Sequence, residues 1–266
     1  MAISPADALA AVERSPAAVA VHDRDAWVAA FTFDAVVEDP VGSHPHRGTP
    51  AITRFYDTFV GPRDIRFHRD VDIVVGATVI RDLELEVQMA AGVTMRIPAY
   101  LRYHLEGEAG QLKIAELSAF WELPSMVGQF LASGIRSLPA GLALSRGLLT
   151  NQGAVGALGF LGGFRGVGPP GKRRFGEFLS AAHTGDEVGL RRWLGGGTRI
   201  TAGDHTPMSS TELLSRLTGA RSRKVIASGH SLVCGIEGAG ARDVLIADVA
   251  AKPFSIRRIR YYAAAT

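Results

Sequence analysis

Cysteine is almost missing from this chain. Cys234 is the only one, so no internal disulfide braces the fold and no Cys-rich metal site can form. It lies in the apolar run SLVCGI, where a thiol reads as a small buried hydrophobe rather than a nucleophile. The opening residues, MAISPADALAAVERS, show no basic stretch followed by an apolar core, so no secretion signal is read. The expected compartment is the reducing cytoplasm. Acidic residues disappear between Glu122 and Glu177, a stretch that carries eleven glycines up to Gly168. Arg136 and Arg146 break its longest apolar runs, which excludes a spanning helix. Short apolar helices packed between two modules are expected there. A lid over a pocket, or peripheral membrane contact through residues 125–165, is the alternative use of such a segment.

What is present is the composition of an ordinary globular protein, 47% hydrophobic and 21% charged over 266 residues. The net charge of +3 conceals a split. Up to Glu122 there are 18 acids and 11 Lys/Arg, a net of −7; beyond it there are 8 acids and 18 Lys/Arg, a net of +10. Such a division favours two modules. The basic residues are scattered and no nucleic-acid motif accompanies them, so no nucleic-acid partner is expected and the basic surface is read as solvated.

Along the chain, residues 5–20 have helical apolar spacing, with Ser15-Pro16 resembling a cap and first turn. Asp23 opens a second helix containing Trp27, DAVVED forms a short strand, and Thr49-Pro50 begins a third helix. In RDLELEVQM, Leu83, Leu85, Val87 and Met89 alternate with polar neighbours, which is the period of a strand with one buried face. Two further strands follow, to Trp121. The order recurs after residue 171: helices, the strand TRITAGD, a helix capped by Ser209 or Ser210, then three strands. A tandem duplication accounts for this. The expected units are a pocket domain (1–122), an apolar Gly-rich helical linker (123–171) and a diverged second copy (172–266).

The run Val37-Glu38-Asp39-Pro40-Val41-Gly42, followed by Gly48 and by Phe55-Tyr56, resembles the active-site wall of the ketosteroid isomerase and SnoaL-like polyketide cyclase superfamily. Ala119-Phe120-Trp121 resembles the aromatic wall on that family's last strand. The resemblance implies an α+β fold of two tandem cystatin-like cones (nuclear transport factor 2-like), each with helices packed on a curved antiparallel sheet. It also implies a cofactor-independent isomerase or cyclase acting on a hydrophobic polycyclic ketone. Asp39 is the candidate general base. A carboxylate among apolar side chains has its pKa raised toward neutrality, which suits it to move a proton between carbons. Trp27, Val37, Phe55, Phe120 and Trp121 are the candidate pocket-lining residues.

The family's oxyanion-hole Tyr and Asp fall at Ser15 and Ala99, so neither of the family's donors is present. Tyr56, Tyr100, Tyr103 and His104 are the candidate replacement donors, with Tyr100 and Tyr103 on opposite faces of their strand. Asp64, or Asp57, is the candidate second carboxylate for an epoxide hydrolase or cyclase. His44, His46 and His68 lack supporting ligands, so no metal is expected. In the second module the position matching Asp39 falls near Ala202, and the turn is lost. This copy is expected to act as an internal partner across the sheet, a pseudo-dimer, with Asp204 as a minor candidate for a second base. The hydrophobic small molecule is then either turned over or merely carried.

Overall fold

The computed structural model describes residues 3–90, 92–132, 166–238 and 240–264. Most of the apolar linker, residues 133–165, therefore lies outside the described residues, and so does the lid or membrane role expected of it. Among the described residues no helix is long and apolar enough to cross a membrane.

The first half is α+β. Helix α1 (Pro5–Ala20) starts where the Ser4 side chain accepts from the Asp7 N–H, and α2 (Arg24–Ala29) starts where Asp23 accepts from Ala26. Pro16 sits inside α1 instead of restarting it. The helix runs on because Ala11, Val12, Ala18 and Val19 are buried around that point, and this packing offsets the one lost hydrogen bond. Strand β1 (Phe31–Glu38) leads through a turn to β2 (His46–Arg47) and α3 (Gly48–Phe55). The α3 helix begins two residues before the expected Pro50 start, with Arg47 rather than Thr49 in the capping position, and Thr49 donates instead to Phe33 O. A π-turn, Tyr56–Val60, extends it.

Four long strands complete the sheet: β3 (Asp64–Val75), β4 (Thr78–Ala90), β5 (Val93–Glu108) and β6 (Gln111–Phe120). The order across the sheet is β2-β1-β6-β5-β4-β3, with β1 parallel to β6 and the remaining pairs antiparallel. As the alternation in RDLELEVQM requires, Leu83, Leu85, Val87 and Met89 all join the core under the helices. Helix α4 (Leu123–Ala132) follows β6.

The second half repeats the plan. Helices Gly168–His183 and Glu187–Trp193 precede β7 (Arg199–Ala202) and β8 (Thr206–Pro207). The helix Ser210–Leu217 is capped by Ser209 and is followed by β9 (Arg221–Ser228), β10 (Ser231–Gly238), β11 (Ala241–Ala251) and β12 (Phe254–Tyr262). Its sheet order, β8-β7-β12-β11-β10-β9, is that of the first sheet strand for strand, and β7 is parallel to β12 as β1 is to β6. These are two tandem cone domains. Cys234 is fully buried in the second core, where burial pushes its thiol pKa up.

The outer faces of the two sheets meet. Ile73, Ile80, Tyr100 and Phe120 of the first pack against Ile226, Val233, Val244, Ile246 and Tyr262 of the second. The charge split is resolved here rather than in solvent. Lys224 pairs with Asp82, Arg242 with Asp70, and Lys172 with Glu122 at 2.7 Å, each a base of the second half on an acid of the first. Arg258 and Arg260 of β12 line a polar cleft between the domains together with Glu38 and Arg102.

Lys224 is the best-enclosed of these pairs. Its ammonium also donates to Leu83 O (2.8 Å) and Ala99 O (3.0 Å) and lies 4.5 Å from the centre of the Tyr100 ring. Asp82 is only 2% exposed, so removing its partner leaves a buried charge uncompensated. Lys224→Met is expected to destabilise the protein by about 3 kcal/mol, read from the denaturant midpoint. A loss below ~1 kcal/mol would show that this pair does not hold the sheets together.

Candidate active site

The turn after β1 carries the site. Val41 N donates to Ala119 O at 2.8 Å, which fastens the Asp39-Pro40-Val41-Gly42 turn to the end of β6. Glu38 closes the turn by accepting from Gly42 N at 2.7 Å. Since successive residues of a strand point to opposite faces, Glu38 turns toward the second domain while Asp39 enters the cone of the first. Glu38 is partly buried in the interdomain cleft, and burial raises its pKa.

Asp39 lines a cavity of about 110 Å³ inside the first cone. Phe55, Phe59 and Val60 form the helical wall, Ile65, Leu85, Val87, Met89 and Ile97 the sheet wall, and Trp121 and Met126 stand beside the chain leaving β6. Asp39 Oδ1 accepts from Trp121 Nε1 at 2.5 Å. Burial lifts the carboxyl from an ordinary 3.8 to about 6, and the Trp121 hydrogen bond restrains the rise. Trp121→Phe removes that donor. It is therefore expected to move the Asp39 titration further up, checked by the midpoint of the carboxyl signal in ¹³C NMR; a downward move would contradict this electrostatic account.

The second domain supports the turn directly. Ser228 Oγ lies 2.9 Å from Val41 O and 3.1 Å from Trp121 O, so one hydroxyl bridges the Asp39 turn and the strand end that holds the Trp121 donor. Next to it, Gly229 (φ +55°) approaches so closely that a Cβ there would lie 2.6 Å from Gly42 Cα. Only glycine fits that position.

Of the candidate lining residues, Phe55 and Trp121 reach the cavity. Trp27 and Val37 are buried behind it in the same core, Trp27 with its ring 6.2 Å from that of Phe55. Phe120 does not line it. It is the neighbour of Trp121 on β6, and alternation turns it into the contact between the sheets.

The candidate donors fare differently. Tyr100 also faces the second domain, opposite Tyr103 as expected, and burial raises its pKa. Tyr103 is buried in the first core, where burial raises its pKa and the Asp39 charge adds to the rise, but it does not line the cavity. Tyr56 packs 5.2 Å from Trp27, and its hydroxyl is buried without a hydrogen-bond partner among the described residues, away from the cavity wall. His104 Nδ1 lies 3.2 Å from Thr78 Oγ1 on the outer side of the sheet.

Neither candidate second carboxylate reaches Asp39. Asp64 is exposed and lies 3.0 Å from His22 Nε2, and Asp57 receives two bonds from Arg24 at 2.8 and 3.1 Å. Among the described residues no cluster of three His, Cys, Asp or Glu side chains is arranged to hold a metal. His68 meets Glu86 at 3.1 Å, while His46 packs 4.9 Å from the Phe55 ring. Burial, with help from His44 and Arg54, lowers His46 to about 4. Asp204 in the second domain is held by Arg102 (2.9 Å), Thr78 (2.6 Å) and the Tyr262 hydroxyl (2.7 Å). Burial alone would raise its pKa, but Arg102 and these hydrogen bonds outweigh it and bring it down to about 2. A carboxylate so fully engaged at the interface is a poor base.

The sequence reading missed Arg63, which also lines the cavity. Its Nη1 donates to Thr58 O (2.7 Å) and Phe59 O (2.8 Å) at the end of the π-turn.

Residues 12–116 match the family model of the SnoaL-like domain. The N-terminal domain is SnoaL-like. Solved structures similar to this SnoaL-like domain include the Δ5-3-ketosteroid isomerase of a Mycobacterium species, at 28% identity over 45% of this chain and 96% of that one, TM-score 0.41. Another is a Mycobacterium tuberculosis protein in complex with estradiol-17β-hemisuccinate, at 25% identity over 45% and 96%, TM-score 0.41. A third is the epoxide hydrolase/cyclase-like enzyme SalBIII of salinomycin pyran-ring formation, at 23% identity over 44% and 92%, TM-score 0.40.

Proposed function

We propose that the SnoaL-like domain is a proton-transfer enzyme, an isomerase or cyclase, that acts on a hydrophobic ketone with Asp39 as its general base. The observation that carries this reading is a carboxylate titrating near 6 inside an apolar cavity, where Trp121 supplies its only hydrogen bond among the described residues. A base of that pKa is ionised at neutral pH yet strong enough to take a proton made acidic by a neighbouring carbonyl. Asp39 would remove the proton from the α-carbon, electrons would flow to the carbonyl oxygen, and the same carboxyl would return the proton to a conjugated carbon. The second domain, with no Asp39 equivalent free of its interface, serves as the internal buttress.

The test is deuterium uptake. Incubated in D₂O with a conjugated cyclic ketone, the protein is expected to speed exchange at the α- and γ-carbons above the buffer rate, with a pH midpoint near 6. A second reading, ligand carriage without turnover, is supported by the lining itself, which has no tyrosine or second acid among the described residues. Saturable binding of such ketones without any uptake would establish it in place of the first.

A further inference from the structure

Arg63 presents a physical problem that the proposed proton transfer does not use. It lines a cavity whose other members are apolar apart from Asp39 and the Trp121 ring nitrogen, and it is itself partly buried. No carboxylate among the described residues lies within ion-pair distance. Asp57 and Asp64, its nearest acids in sequence, are engaged by Arg24 and His22 on the outside. Asp39 shares the cavity but is hydrogen-bonded to Trp121. A guanidinium withdrawn from water without a counter-ion is costly, and here burial lowers its pKa. Its position is nonetheless fixed, because the Thr58 and Phe59 carbonyls hold Nη1 in place. A planar donor fork, anchored at one nitrogen and lacking an anion, suits a carboxylate.

We propose that Arg63 is the specificity-determining residue of the cavity and that its natural counter-ion is a carboxylate on the ligand. The ligand class is then an amphipathic acid, with an apolar body against Phe55, Leu85 and Val87 and a carboxylate on Arg63. Where it is turned over it is a keto acid, its carbonyl presented to Asp39. This inference rests on the reading of the cavity as a ligand site. It predicts something that reading alone does not, a preference for charge in a greasy pocket.

The experiment uses a matched pair of one-ring probes, 3-phenylpropionate and its methyl ester, titrated at pH 7.5 against the full chain by calorimetry. A ring of this size enters an engineered apolar cavity of about 150 Å³ in another protein. The acid is expected to bind at least ~10-fold tighter than the ester, since one charge-assisted contact is worth about 1.5–3 kcal/mol. Arg63→Met should bring the two probes within about threefold of each other. Arg63→Lys, which keeps the charge and guards against a folding defect in the first variant, should retain part of the preference. Equal affinities in the unmodified protein, or a preference that survives Arg63→Met, would overturn the proposal while leaving the cavity reading intact. Failure of both probes to bind, or binding unaffected by the cavity-filling Val87→Trp, would overturn the cavity reading and this inference with it.

Discussion

Asp39→Asn should lower the rate of ketone proton exchange by about 10³-fold while changing ligand affinity by no more than a few-fold. General-base catalysis by a positioned carboxylate is worth roughly 10²–10⁴ in rate, and no other carboxylate among the described residues lines this cavity. The replacement is close to isosteric. Its amide oxygen can still accept from Trp121 Nε1, now 2.5 Å from Asp39 Oδ1, so the turn and the ring keep their places. Loss of rate without loss of binding would separate chemistry from packing. The remaining activity should no longer rise through pH 6, because the group titrating there is gone. A variant that exchanges protons as fast as the original would remove Asp39 from the mechanism.

The same substitution should stabilise the fold in alkaline solution. Asp39 titrates at about 6 in the folded protein against an ordinary 3.8, so between those values the native state holds more protons than the unfolded chain. Stability therefore falls as pH rises from about 4 to about 6, and above 6 the full cost of the buried charge is present. The difference between 3.8 and 6 corresponds to roughly 3 kcal/mol as a ceiling. Because Asp39 retains some exposure, a gain of about 1–2 kcal/mol for Asp39→Asn at pH 8 is the expected result. At pH 4 the gain should nearly vanish. Equal effects at the two pH values would mean that the carboxylate is not desolvated. Loss of activity with a gain of stability is the signature of a functional group held where folding alone would not place it.

Much of this was legible in the sequence because it rests on period and punctuation. Alternation in RDLELEVQM placed Leu83, Leu85, Val87 and Met89 on the core face, and the recurrence of element order announced the second sheet that matches the first strand for strand. Asp39 was legible only through the resemblance of Val37–Gly42 to the SnoaL-like superfamily's active-site wall, and the structure places its side chain in a cavity. What the sequence did not disclose is which face of each strand meets the partner domain. Tyr100 and Phe120 look like pocket aromatics, yet both belong to the contact between the sheets. The charge split was visible, whereas its pairing through Lys224, Arg242 and Lys172 depends on a register between sheets that no local pattern encodes. Arg63 was silent for the same reason. A cation after Gly61-Pro62 reads as loop, and only the direction of the π-turn brings it into the cavity.

The part played by the second domain follows from this interface. Ser228 and Gly229 touch the carbonyls and glycine that shape the Asp39 turn, so the second domain buttresses that turn directly. Its own Asp204 is turned toward Arg102 of the first domain and is unavailable as a base.

The central claim is that Asp39 is an ionisable group displaced toward neutrality by the cavity around it, and its titration can be observed directly. With ¹³C-labelled aspartate, the Asp39 carboxyl signal, assigned by its loss in Asp39→Asn, should titrate with a midpoint near 6. A midpoint at 4 or below would show a solvated carboxylate, and the proposed chemistry would fall with it.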